Sequence, residues 1–227
     1  MTALAELRIA ADPAGWVRLG LTPDPDGSIQ VGTVRLRFEP ADSGEPDRPS
    51  GVLAWGLAGL PAESAAITDI DGLSTYAASA PEGPPPPGTM HAVGFDHLIV
   101  TTSSLDRTCQ AIGDTTGEAI KRIREFGDIR QGFHRLGEAV IEVVESPKVT
   151  VDQAGFGGLV INVADLDGLC ERLGPDVISP AKDAVQPGRR IATVREPLGL
   201  AVALMSPPIP WTGEVAPPPV LRTQGRG

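Results

Sequence analysis

Apolar residues fall along this chain in short blocks, and in its second half the blocks recur at a fixed spacing. Phe95 to Thr101 reads as a strand, and Leu105, Cys109 and Ile112 then take the i, i+4, i+7 spacing of one buried helix face. Ser103, with Asp106 three residues on, is the expected cap, and the helix is expected to end near Gly113. Glu118 to Glu125 reads as a strand, although its charges also fit a helix. Arg130 to Leu136 and Ala139 to Glu145 form a hairpin across Gly137-Glu138.

Shifting the numbering by 61 returns the same pattern without a gap. Gly94, Phe95, Leu98, Leu105, Asp106, Cys109 and Gly113 fall on Gly155, Phe156, Leu159, Leu166, Asp167, Cys170 and Gly174. The apolar block Ile141 to Val144 falls on Val202 to Met205. Asp165 caps the second helix, Asp183 to Gly188 is a turn, and Arg190 to Arg195 and Leu200 to Met205 are strands. The chain thus carries a duplicated β-α-β-β-β unit, with copies at 93–147 and 156–206, and the fold class is α+β. Two mismatches break the repeat at polar positions: His97 becomes Gly158, and Glu142 becomes Ala203.

Residues 1–78 read as a worn, degenerate copy of the same unit. Leu7 to Ala10 is a strand, Asp12 and Pro13 open a helix that ends at Arg18-Leu19-Gly20, and Ile29 to Val31 and Thr33 to Phe38 are strands. A polar, Pro-rich loop follows from Glu39 to Ser50, and Val52 to Leu57, apolar on both faces, reads as a central strand. Pro84 to Pro87 make residues 79–92 a stiff linker, with His91 exposed on it. A loose tail covers 208–227, and Trp211 is a candidate to pin it to the body.

A formal net charge of −10 repels phosphate backbones, so no nucleic-acid partner is expected. No apolar run reaches the roughly 20 residues that span a bilayer, so no membrane partner is expected either. Met1 to Glu6 lacks the basic region and long apolar core of a secretory signal, and the expected compartment is the cytoplasm. The two cysteines sit on the buried faces of the two repeat helices, as small core residues.

Period-two alternation places Phe95, His97 and Ile99 on one face of the first strand. It places Val140, Glu142 and Val144 on one face of the fourth. If these faces coincide, His97 and Glu142 converge as an acid/base pair or as two metal ligands. A carboxylate in an apolar strand needs a partner: His97, His134, a ligand, or an arginine among Arg130, Arg189, Arg190 and Arg195.

Paired βαβββ modules, Asp96-His97-Leu98 on a first strand, the Asp-Leu-Asp start of a capped helix and a last-strand Glu before a Pro together resemble the vicinal oxygen chelate superfamily. That superfamily includes glyoxalase I, extradiol dioxygenases, fosfomycin-resistance enzymes and bleomycin-binding proteins. The resemblance covers about 93–207 and implies one domain whose sheets curve around a cleft. In metal-dependent members the ligands come from first and fourth strands. His97 and Glu142 match such positions, whereas Gly158 and Ala203 stand where the other two ligands belong. Half of the set is missing, so no cofactor is expected; a divalent Zn, Fe, Mn or Ni held by His97 and Glu142 is the alternative. The expected function is metal-independent binding of a small molecule, neutral or cationic. Its cleft would be lined by Phe95, Ile99, Val140, Val144, Phe156, Gly158, Val160, Ala203 and Met205. The alternative is a lyase, isomerase or dioxygenase-like enzyme with Glu142 as general base and His97 as its partner. The resemblance also implies a homodimer.

Overall fold

The computed structural model describes residues 1–39 and 51–208; the expected loop after Glu39 and the expected tail beyond 208, with Trp211, lie outside the described residues. The strands of the N-terminal part are β1 Ala3–Ala10, β2 Ile29–Val31, β3 Val34–Glu39, β4 Gly51–Ala58, β5 Asp69–Ile70 and β6 Leu73–Ala77. Those of the C-terminal part are β7 Ala92–Thr102, β8 Arg122–Phe126, β9 Ile129–Leu136, β10 Ala139–Glu145, β11 Gly155–Val163, β12 Lys182–Asp183, β13 Arg190–Thr193 and β14 Val202–Met205. The α-helices are α1 Ala14–Arg18, α2 Leu105–Thr116 and α3 Leu166–Leu173.

The C-terminal strands form one eight-stranded sheet in the order β12-β13-β14-β11-β7-β10-β9-β8. β7 is parallel to β10, β11 is parallel to β14, and β7 meets β11 antiparallel at the centre. These are two βαβββ modules joined through their first strands, an α+β fold. The sequence repeat is written into the register. Leu98 lies opposite Leu159, its own counterpart. Phe156 opposite Val100 returns as Ile161 opposite Phe95, and Gly155 opposite Thr101 returns as Asn162 opposite Gly94. A local two-fold axis therefore passes between Leu98 and Leu159. β12 lies partly where the sequence reads as a turn, because two residues are too few to show alternation.

The N-terminal strands form a six-stranded sheet in the order β2-β3-β1-β4-β6-β5. β1 is parallel to β3, β4 is parallel to β6, and β1 meets β4 antiparallel. This is the larger sheet with its outermost strand removed from each end. The degenerate N-terminal copy thus extends to a trimmed pair, in which a single 3-10 turn at Ala62–Ser64 stands where the second helix would be. β5 and β6 carry too few apolar residues in alternation to be read from sequence.

Two expected caps fare differently. Asp165 accepts from the Gly168 amide at 3.0 Å and caps α3 as read. α2 is not capped by Ser103; the Glu145 carboxylate, at the end of β10, accepts from the Leu105 amide at 2.6 Å. A tertiary contact supplies what the local signal suggested.

One hydrophobic core joins the sheets. Leu7, Ile9, Leu36, Trp55 and Leu57 of the smaller sheet are buried in the same cluster as Leu98, Val100, Leu159 and Ile161 of the larger. Trp55 is fully buried; its Nε1–H donates to Thr75 at 2.7 Å, and its ring meets Phe156 edge-on at 5.7 Å. No helix among the described residues is long and apolar enough to cross a membrane. Trp55→Ala is expected to cost about 3–5 kcal/mol in chemical denaturation. Its effect should be non-additive with Phe156→Ala, because the two rings share one contact. Simple additivity would show that the sheets are not held together through this pair.

Candidate functional site

A repeated irregularity in the central strands builds the site. Between Phe95 and Leu98, two residues of β7, Asp96 and His97, oppose the single Val160 of β11. Across the two-fold axis, Gly157 and Gly158 oppose the single Ile99. Both are β-bulges, which bend a strand and re-aim its side chains. One copy puts an acid and an imidazole on its bulge; the other puts two glycines there.

The bulge corrects the alternation read from sequence. Phe95 pairs with Ile161 and Phe156 with Val100, so both rings face the core and not the cleft. Gly158 does not open space either: a Cβ there would meet the Ala201 carbonyl oxygen at 2.4 Å. The other expected lining residues keep one face. Ile99, Val140 and Val144 share it with His97 and Glu142 through the β7–β10 register. Val160, Ala203 and Met205 extend it across β11 and β14.

On that face the side chains form a chain of polar contacts. His97 Nε2 lies 3.4 Å from Glu142 Oε2. His97 Nδ1 lies 2.8 Å from Asp96 Oδ1. Arg189 Nη2 donates to Asp96 Oδ2 at 2.7 Å and to Asn162 Oδ1 at 2.6 Å. Arg189 also donates through Nε to the Ser206 carbonyl and through Nη1 to Gln186. At the other end, Gln131 Nε2 donates to Glu142 Oε1 at 2.6 Å. Arg189 is only 5% exposed. Of the expected partners for Glu142, His97 is adjacent, whereas His134 is buried on the opposite face beside Ile141. Arg189 reaches Asp96 instead, and Arg130 and Arg190 pair with carboxylates near the helices.

These contacts set the charges. Burial alone would raise the Asp96 carboxyl, but hydrogen bonds from His97 and Arg189, and their charge, outweigh it and hold Asp96 down at about 2. Asp96 is therefore an anion that takes the Nδ1–H of His97. In a neutral ring, Nε2 is then a bare lone pair aimed at Glu142. Burial pushes Glu142 above the usual carboxylate range, against the pull of His97 and Arg124 and with a push from Asp96. Two bare lone pairs facing each other at 3.4 Å would repel, an arrangement that one proton between His97 and Glu142 relieves.

With this geometry the chain can be set beside known proteins. No family model matches the sequence, and no curated protein matches it. Solved structures do. A mutant 4-hydroxymandelate synthase from Streptomyces coelicolor superimposes over 90% of this chain and 92% of its own, with TM-score 0.59 and 14% identity. A xylose isomerase-like TIM barrel/4-hydroxyphenylpyruvate dioxygenase fusion protein matches over 93% of this chain and 50% of its own, with TM-score 0.61 and 10% identity. The methylmalonyl-CoA epimerase of Mycobacterium tuberculosis matches over 53% of this chain and 92% of its own, with TM-score 0.45 and 19% identity.

The chain has the vicinal oxygen chelate fold.

On this face His97 Nε2 and Glu142 Oε2 are the two donor atoms that converge. Their counterparts in the second module, Gly158 and Ala203, carry no donor atom on their side chains. Among the described residues no group of three His, Cys, Asp or Glu side chains is placed to hold a metal. Two donors fall short of the three that a catalytic site uses.

Asp96, which sequence alternation did not single out, is the hinge of this arrangement, and its depressed pKa fixes a pH signature. The stability it contributes is present above the ordinary value of 3.8 and is lost as pH falls through about 2. Asp96→Asn should lower the unfolding free energy by about 2 kcal/mol at pH 7 in urea titrations. The difference should shrink as pH falls toward 2. A deficit that does not change with pH would contradict the assignment.

Proposed function

We propose that the face carrying His97 and Glu142 binds a small organic molecule and moves a proton on it, in an isomerase- or lyase-type reaction without a metal. The observation that carries this is the 3.4 Å approach of His97 Nε2 to Glu142 Oε2 with Nδ1 already committed to Asp96. A site that only sequestered a ligand would need apolar walls, which Ile99, Val140, Val144, Val160, Ala203 and Met205 supply. It would not need a buried carboxylate and an imidazole sharing one proton at its centre. Glu142, with the shared proton resting on His97, takes a proton from carbon next to a carbonyl; the C–H electron pair becomes a carbon–carbon double bond and the carbonyl π pair passes to the oxygen. The His97 imidazolium, whose charge Asp96 balances, donates to that oxygen. Return of a proton from Glu142 to carbon, with His97 Nε2 taking back its proton from the oxygen as the carbonyl re-forms, restores the pair. General acid–base catalysis of this kind contributes about 10²–10⁴-fold.

The same proposal places the protein in the cytoplasm as a homodimer. β8 is the outermost strand of the large sheet, and the β8–β9 hairpin exposes Ile123, Phe126 and Ile129, an apolar edge suited to a second copy. Sedimentation velocity returning a monomer would overturn this part.

The reaction can be tested without knowing the substrate. Incubation in D₂O with a panel of α-keto acids, α-hydroxy ketones and acyl thioesters should show deuterium entering one of them, read by mass spectrometry. Exchange should persist after chelator treatment and fall by about 100-fold or more in both Glu142→Gln and His97→Ala. Saturable binding without exchange, at an affinity indifferent to Glu142→Gln, would overturn catalysis and leave a binding protein. Loss of exchange on chelation, with restoration by Zn, Fe, Mn or Ni, would overturn the metal-free mechanism.

A further inference from the structure

The face that carries His97 and Glu142 continues past them to the edge of the large sheet. Register lays Ile99, Glu142, Phe133 and Arg122 side by side across β7, β10, β9 and β8. Thr101, Val144, Gln131 and Arg124 form the next row, and His97, Val140 and Arg135 the row on the other side. Burial along β9 follows the same alternation: Gly132, His134 and Leu136 are buried, whereas Gln131, Phe133 and Arg135 are not. A Cβ at Gly132 would meet Cys109 Sγ of α2 at 2.7 Å, so the helix covers the first set and leaves the second on the side of Glu142.

Charge is divided between the two sides in the same way. On the helix side, Arg130 takes Asp106, Glu125 and Glu145. On the Glu142 side, β8 and β9 carry Arg122, Arg124 and Arg135 and no carboxylate. Among the described residues none of these three guanidinium groups has a hydrogen bond or an ion pair. Arg124 is half-buried nonetheless, and it acts on Glu142 only through its charge. Glu142 is held away from the arginines, because Gln131 binds Oε1 at 2.6 Å and His97 lies against Oε2. The net charge of −10 points to a neutral or cationic ligand, but this face carries the opposite sign. From Glu142 to Arg122 the backbone spans two strand spacings, about 10 Å. Phe133 lies between them, part-exposed, as an apolar surface for the body of a molecule.

We infer that the substrate of this face is a carbonyl compound with a remote oxyanion, a carboxylate or a phosphate, whose reacting carbon lies at Glu142, whose apolar body lies over Phe133 and whose oxyanion pairs with Arg122 and Arg124. Guanidinium groups bind such oxyanions through paired N–H donors. Arg122 and Arg124 stand two apart on one strand, about 7 Å between Cα atoms, and determine specificity. Only the placement of the reacting carbon rests on the proton-transfer reading; recognition of the oxyanion does not.

Deuterium exchange into the acetyl group of 4-acetylbenzoate by the full chain in D₂O, set against the neutral 4-acetylbenzamide, tests it. The acid should exchange with a KM at least about tenfold lower than the amide, the scale of a charge-assisted hydrogen bond, at similar kcat. Arg122→Gln combined with Arg124→Gln should bring the two KM values together by raising that of the acid. The pull of Arg124 on Glu142 reaches both probes alike, so the ratio of KM values isolates recognition. 4-Acetylphenyl phosphate assigns the group: a KM below that of the acid names a phosphate, and one above it a carboxylate. Equal KM values for acid and amide, or a ratio unchanged in the double variant, would overturn the proposal and leave proton transfer standing. Should neither probe exchange, proton transfer fails and isothermal titration decides. Acid binding weakened at least about tenfold in the double variant then supports the oxyanion site. Acid binding that is absent, or indifferent to the double variant, overturns it.

Discussion

The buried pair between Arg189 and Asp96 is the constraint on which the rest of the site depends. Neither charge is easily tolerated in a sheet interior, and each is held because the other lies 2.7 Å away with every other contact satisfied. Arg189 spends its donors on Asp96, Asn162, Gln186 and a backbone carbonyl, so it cannot turn toward Glu142. Asp96, kept ionised, has one oxygen left for His97. The ring orientation follows, and with it the single proton between His97 and Glu142. Replacing Asp96 by a neutral group would free the imidazole to reverse its tautomer, and the acid–base pair would lose its direction.

The bulge is the backbone expression of the same design. In a regular strand Asp96 and His97 would point to opposite faces, one of them into the core. Two residues opposing Val160 put both on the side where Arg189 and Glu142 can reach them. The symmetric bulge at Gly157-Gly158 keeps the geometry and drops the chemistry, so the sheet is symmetric in register and asymmetric in function. The smaller sheet repeats the strand pairing once more and fills the corresponding face with arginines and Glu6. One scaffold has thus been given two different polar complements and one pair of glycines.

The sequence carried the architecture further than it carried the site. A gapless repeat makes the module pair legible because each module supplies one apolar helix face and a hairpin at fixed offsets; β7, β9, β10 and α3 appear where those signals put them. Very short strands, β5 and β12, have no period to read. His97 and Glu142 stood out because polar groups interrupt apolar strands at the two points where the repeat fails. Phe95, Phe156 and Gly158 depart from the alternation for a single reason: alternation counts residues, and a bulge shifts the count by one. A signal was present, since a charged residue directly before a histidine in an apolar strand cannot both face the core. The role of Arg189 was out of reach, because its turn and β7 are 93 residues apart and meet only in the folded sheet.

The central claim is that Asp96 fixes which nitrogen of His97 carries the proton. Nitrogen-15 chemical shifts of the His97 ring, followed through a pH titration of the folded protein, read this directly. The account predicts that Nδ1 stays protonated throughout, while Nε2 moves between bare and protonated as the proton shared with Glu142 is removed or restored. A neutral ring protonated at Nε2 with Nδ1 bare would contradict it.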